Sequence, residues 1–322
     1  MTVDKPQLPV SFFGMAVGTL AWGHAWRTAV QLWALPAWTA NLAVGLGLAL
    51  WLGILLAYAN KWRLQARIAR LELDHPVQSA MAALGPVSTL LAAISLKPWL
   101  PEAAWGLYAL GVSAQLALGL WLVGRFWQGG RAPESVNASA YLPGVAQNFV
   151  AATASASFGY TALGAMFFGA GVLTWLTLES LVLQRAATLA PLPEAQRPLQ
   201  GIQVAPAVVG GLSYLSLTAG SPDLVAQMML GYGLYQALLA ARQFAWSRQG
   251  GFTPSYWAYS FGVMALATMA MRILQRDPTE PLWLALAPVL FVLANGVMAL
   301  LLWHTAALAR QGRLLPPLAP AP

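Results

Sequence analysis

Ten runs of roughly 17 to 25 predominantly apolar residues, at 10–26, 37–59, 77–95, 103–124, 141–158, 161–183, 201–219, 224–245, 256–274 and 283–307, leave this chain little choice of solvent. Each is long enough to cross a hydrocarbon core as a helix, and helices and closed barrels are the only structures that satisfy a backbone in lipid. The alternating strands of an outer-membrane barrel are missing, so the expectation is an all-α membrane protein. Composition agrees: 8% of the 322 residues are charged, against roughly 25% in a soluble domain. Without cysteine, disulfides and thiolate metal sites are excluded.

The formal charge of +7 is distributed by topology. With a cytoplasmic N-terminus, one side holds Lys5, Lys61, Arg63, Arg67, Arg70, Arg125, Arg131, Arg185, Arg197, Arg242, Arg248, Arg310 and Arg313, which is thirteen of the seventeen basic residues. The other holds Arg27, Lys97, Arg272 and Arg276. That asymmetry obeys the positive-inside rule with both termini cytoplasmic, and removes nucleic acid as the reason for the basic excess. The first run lacks an A-x-A-like cleavage site and reads as a retained helix. The whole of 1–322 is expected to form one transmembrane domain, with a short N-terminal segment at about 1–9 and a tail at about 310–322.

The odd-numbered runs recur every 55 to 67 residues and are short and rich in small residues; the even-numbered ones are longer and rich in Leu and Trp. The repeating unit is therefore a helical hairpin used five times. Small residues let helices approach or line a narrow space, whereas Leu and Trp suit lipid. Five like hairpins can close into a quasi-five-fold ring with the small-residue helices inside, around either a central pore or a filled core. Gly14, Gly18, Gly85, Pro86, Pro143, Gly144, Pro206 and Gly262 fall in mid-span of the inner set, where broken backbone is tolerated beside a water-filled space. They are the pore-lining candidates, with Phe13, Asn148 and Phe149 beside them.

Catalytic constellations are absent. His24, His75 and His304 are far apart, and no G-x-S-x-G, P-loop or H-E-x-x-H occurs, so no catalytic residue, metal or cofactor is assigned and the chain is not expected to be an enzyme. Glu179 is the one acidic group well inside an apolar stretch, either a functional charge or a structural partner of Arg185. Arg272 either snorkels to the interface or draws anions to a pore mouth. The five inner runs carry no Asp or Glu, which favours anions over cations as the permeating species. In the ninth run Phe261 stands between Ser260 and Gly262, and either projects into the narrowest section or packs between helices.

The stretches FFGMAVG (12–18), HPVQSAMAALGPVSTLL (75–91), YLPGVAQNFVAATASASFGY (141–160), FFGAGVLTWLTLESLVLQ (167–184), QVAPAVVGGLSYLSL (203–217), LGYGLYQALLAAR (230–242) and YWAYSFG (256–262) resemble the tellurite-resistance (TehA) and C4-dicarboxylate transporter family, which includes the plant slow anion channels. The resemblance is nearest to its bacterial tellurite-resistance branch. It implies ten helices in five hairpins around a pore, a homotrimer with one pore per protomer, and a ninth-helix phenylalanine, here Phe261, that occludes the pore. It also matches Phe149 to a second family aromatic, and departs at GMAVG, where the family often has a proline. The expected function is an anion channel or facilitated anion transporter of the cell inner membrane, with small inorganic or organic anions and lipid as partners. A coupled C4-dicarboxylate, sulfite or tellurite exporter is the near alternative, and a non-conducting sensor or scaffold the alternative of another class.

Overall fold

The computed structural model describes residues 8–315; Lys5, most of the predicted N-terminal segment and the last residues of the predicted tail lie outside them. Among the described residues all regular structure is helical. In chain order the helices are α1 (Phe13–Trp33), α2 (Ala37–Leu64), α3 (Ala66–Asp74), α4 (Gln78–Met81), α5 (Leu84–Leu96), α6 (Pro101–Trp127), α7 (Gln147–Ser157), α8 (Thr161–Thr188), α9 (Ala205–Leu217), α10 (Leu224–Ser247), α11 (Ala258–Arg276) and α12 (Pro281–Arg310).

Seven segments are long and apolar enough to cross a membrane: α2, α4 with α5, α6, α8, α10, α11 and α12, three of them counted with the turns that adjoin them. The first, fifth and seventh predicted spans fall outside that set for a visible reason. Polar and small residues dilute α1, while α7 and α9 have only 11 and 13 helical residues because their starts are irregular. A π-helical turn at Leu142–Ala146 precedes α7, and a long 3-10 segment at Glu194–Val204 precedes α9.

These starts correct one expectation. Pro143 and Pro206 do not kink the middles of helices; they sit in the opening turns of the π-helical segment and α9, whereas Pro86 follows the turn that breaks its span between α4 and α5, as expected, and itself lies in the opening turn of α5. A missing N–H costs nothing in an opening turn, and proline's fixed φ suits it.

Burial separates two classes of helix. In α4–α5 and α11 78% of the apolar window is buried, against 22–28% in α2, α6, α8, α10 and α12. The exposed residues of the second class are lipid-compatible, as with Trp38, Leu42 and Leu56 of α2 or Leu293, Leu300 and Trp303 of α12. The buried helices touch in sequence: α1 packs on α5, α5 on α7, α7 on α9, α9 on α11, and α11 on α1. Each also packs on the helix that follows it, as α1 does on α2 and α11 on α12.

Glycine sets the closest of these approaches. A Cβ on Gly47 would lie 3.1 Å from the Leu20 backbone, so Gly47 faces α1, whereas Gly45 and Gly53 meet nothing within 4 Å and point outward. Asn295 ties α12 to α1 by accepting from Trp22 Nε1 (2.8 Å) and Trp26 Nε1 (3.0 Å). At the side where α1 begins and α12 ends, here the terminal side, Lys61 pairs with Glu72 at 2.7 Å and also donates to the Leu8 carbonyl, which fixes the entry to α1.

Candidate functional site

Two cavities lie within the set of buried helices. The larger, about 270 Å³, opens towards the terminal side; the smaller, about 100 Å³, lies towards the far side. Phe261 and Val209 line both. Phe261 is therefore part of a shared wall, partly buried and packed on its other side against the core.

The helices present these walls with a regular spacing. On α1, Gly14 and Val17 face the terminal-side cavity, and Ala21, His24 and Thr28 the far-side one. On α11, Ala258 and Phe261 are followed by Ala265, Thr268 and Arg272 in the same steps of three and four. Such steps keep a stripe on one face of a helix through about four turns. Pro206, Val209, Leu212 and Ser216 continue the walls from α9, and Phe149 and Thr153 from α7. No Asp or Glu is among the residues that line either cavity.

The far-side cations resolve into two kinds. Arg27 donates to the Ser95 carbonyl (2.6 Å), Lys97 to that of Ser157, and Arg276 to those of Leu215 and Thr218. Each thus covers carbonyls left unpaired at the C-terminal end of a neighbouring helix, α5, α7 or α9, where positive charge is favoured. Arg272 is exposed, meets no acceptor among the described residues and, like His24, lines the far-side cavity. His24 is held through Nε2 by the Leu91 carbonyl (3.4 Å) and Ser95 Oγ (3.1 Å). Sequence reasoning missed His24; its place three and seven residues after Ala21 and Val17 was the available signal.

Glu179 lies elsewhere and does not pair with Arg185. Its Oε2 accepts from Tyr141 (2.8 Å) and Trp175 Nε1 (2.9 Å), and its Oε1 from Tyr232 (2.5 Å) and Gln236 (3.4 Å). Four uncharged donors from three parts of the chain satisfy one carboxylate, and one of them, Tyr141, lines the terminal-side cavity. The arrangement anchors a cavity wall to α8 and α10.

Of the remaining candidates, Gly14, Phe149 and Pro206 lie on the terminal-side cavity. Phe149 is nevertheless fully buried, its ring against Gly171 and Gly210, where an added Cβ would come within 2.7 and 2.9 Å. Phe13, Gly18, Gly85, Pro86, Pro143, Gly144, Asn148 and Gly262 are not among the residues that line either cavity. Phe13 packs edge-on to Tyr58, Gly18 meets Ser260, Gly144 meets Thr174, Gly262 meets Val204, and Asn148 donates to the Gly144 carbonyl.

The profile of the voltage-dependent anion channel family matches residues 7–306. A tellurite resistance protein TehA homolog from Haemophilus influenzae is 33% identical over 309 residues, which is 95% of this chain and 92% of that protein.

Proposed function

From the premise that this chain belongs to the voltage-dependent anion channel family, we propose that it is an anion channel or facilitated anion transporter of the cytoplasmic membrane, occluded by Phe261. The chain is a multi-pass membrane protein; its ten crossings form five hairpins, with α1, α4–α5, α7, α9 and α11 around one pore and the termini cytoplasmic. The observation that carries this reading is the ring of Phe261 standing as the common wall of two cavities otherwise aligned along the same helix faces. An ion does not cross a dry aromatic constriction, so one side chain can hold the path shut.

Selectivity follows from charge. With no carboxylate on the walls and the uncompensated Arg272 in the far-side cavity, the field there favours anions. Arg272→Gln should lower chloride or nitrate flux in proteoliposomes by about two- to tenfold at low ionic strength, with the difference shrinking towards 1 M salt as screening takes over. An unchanged flux at low salt would remove Arg272 from the pathway.

His24 favours a second reading, a proton-coupled anion carrier, because it places a titratable group in the same cavity as Arg272. Flux under an imposed voltage and, separately, under an imposed pH gradient separates the readings. Electrogenic current without proton movement supports a channel, and malate or sulfite uptake driven by the pH gradient supports the carrier. Silence across a panel of anions leaves a non-conducting sensor or scaffold. A homotrimer with one pore per protomer accompanies the proposal; Gly45 and Gly53 offer close approach on the outside of α2, and native mass spectrometry from mild detergent reads the stoichiometry.

A further inference from the structure

A third pocket, of about 440 Å³, lies on the terminal side and is separate from the two cavities. Its polar walls are Arg185 near the end of α8, Asn137, Gln200 and Gln203 in the connecting segments, and Gln243 and Trp246 near the end of α10. Arg185 is 8% exposed and Asn137 3%, yet Arg185 Nε and Asn137 Nδ2 have no hydrogen-bond partner among the described residues. Both atoms are donors. The Asn137 amide is not free to turn over, because its Oδ1 accepts from the Ser139 N–H at 2.9 Å.

Natural proteins rarely leave buried donors without an acceptor, and here two of them belong to residues that line one pocket. A cation in the last turn of α8 suits the helix dipole, but the dipole does not explain a guanidinium whose Nε–H is buried and unmet. The acceptor is not supplied by the surroundings. No Asp or Glu lines the pocket to accept from them, and the nearby guanidinium of Arg197, which stacks 4.5 Å over Trp246, is already engaged in donating to the Leu192 and Trp246 carbonyls and to Gln249, which leaves Arg185 as the cation of the pocket.

We propose that this pocket binds an oxyanion of the phosphate class, carried either by the headgroup of an anionic lipid or by free phosphate. A guanidinium fork with an adjacent amide donor is the recognition such an oxyanion uses, and three glutamines supply further donors. The Glu194–Val204 segment divides the pocket from the terminal-side cavity: Gln196 and Leu199 face the cavity, Gln200 and Gln203 the pocket. Occupancy of the pocket therefore bears on a wall of the cavity.

The test is thermal unfolding of the full chain in detergent at constant ionic strength, titrated in one arm with inorganic phosphate and in the other with short-chain phosphatidylglycerol. The wild-type midpoint should rise in at least one arm; a rise with the lipid alone identifies a headgroup site, and a rise with inorganic phosphate a free-ion site. Arg185→Gln should bind that probe at least about tenfold more weakly, since a charged donor pair is lost. Gln243→Leu, a milder change on a half-buried residue, should weaken it about three- to tenfold, and decides the matter should Arg185→Gln not fold. An anion held in the other two cavities would shift all three proteins alike. The proposal is overturned if neither probe raises the wild-type midpoint, or if the variants that fold respond as the wild type does.

Discussion

Phe261→Ala is expected to raise anion current by on the order of tenfold or more, with only a small loss of stability. The residue packs against the core on one side but is only partly buried and lines two cavities, so removing its ring is expected to join spaces of about 270 and 100 Å³ into one continuous path. Because few packing contacts are lost, the cost should stay near 1–2 kcal/mol, below the roughly 3–5 kcal/mol of a phenylalanine deleted from a filled core. Current in planar bilayers and thermal unfolding in detergent should be measured on the same preparation. A protein destabilised by the larger amount, with wild-type or lower current, would mean that the ring is a packing residue and that the constriction lies elsewhere.

The second large effect is expected from the opposite change beside it. Gly18→Ala adds a Cβ that would lie 2.0 Å from Ser260 Oγ and 2.6 Å from Ser260 Cβ. Rotation of the hydroxyl cannot relieve a clash with Cβ, and Ser260 is fully buried with its Oγ already donating to the Trp257 carbonyl at 2.6 Å. So α1 and α11 must separate, at a cost of about 1–3 kcal/mol or more. Ser260→Gly in the same chain vacates that volume, and the double variant should recover about 1–2 kcal/mol relative to the sum of the two single changes. Simple additivity would show that the two residues do not share the contact. Since Ser260 precedes Phe261, the single variant should also leak anions by displacing the ring, and the double variant should leak less.

Much of the architecture was legible in the sequence because lipid reduces the choices available to a backbone. A run of apolar residues of crossing length has to be a helix. Residue size was legible too: Gly18 and Gly47 mark close approach, and the Leu- and Trp-rich faces of α2 and α12 are exposed. The helical stripe from Gly14 to Thr28 was present as spacing, yet nothing local says which of several small-residue faces points inward.

Tertiary structure decided that rotation, because a helix turns its face according to neighbours far away in the chain. It put Phe261 between two cavities and Phe149 against Gly171 and Gly210, though both are phenylalanines among small residues. It placed Pro143 and Pro206 not in mid-helix but at helix starts, where their missing donor is harmless. It gave Glu179 four uncharged donors from three parts of the chain in place of the nearby Arg185. The far-side cations show the reason most plainly. Arg27, Lys97 and Arg276 cover carbonyls 60 or so residues away, and Arg272 covers none. Four like charges near the ends of spans are indistinguishable as sequence, because the carbonyls that bind three of them belong to helices brought there only by packing.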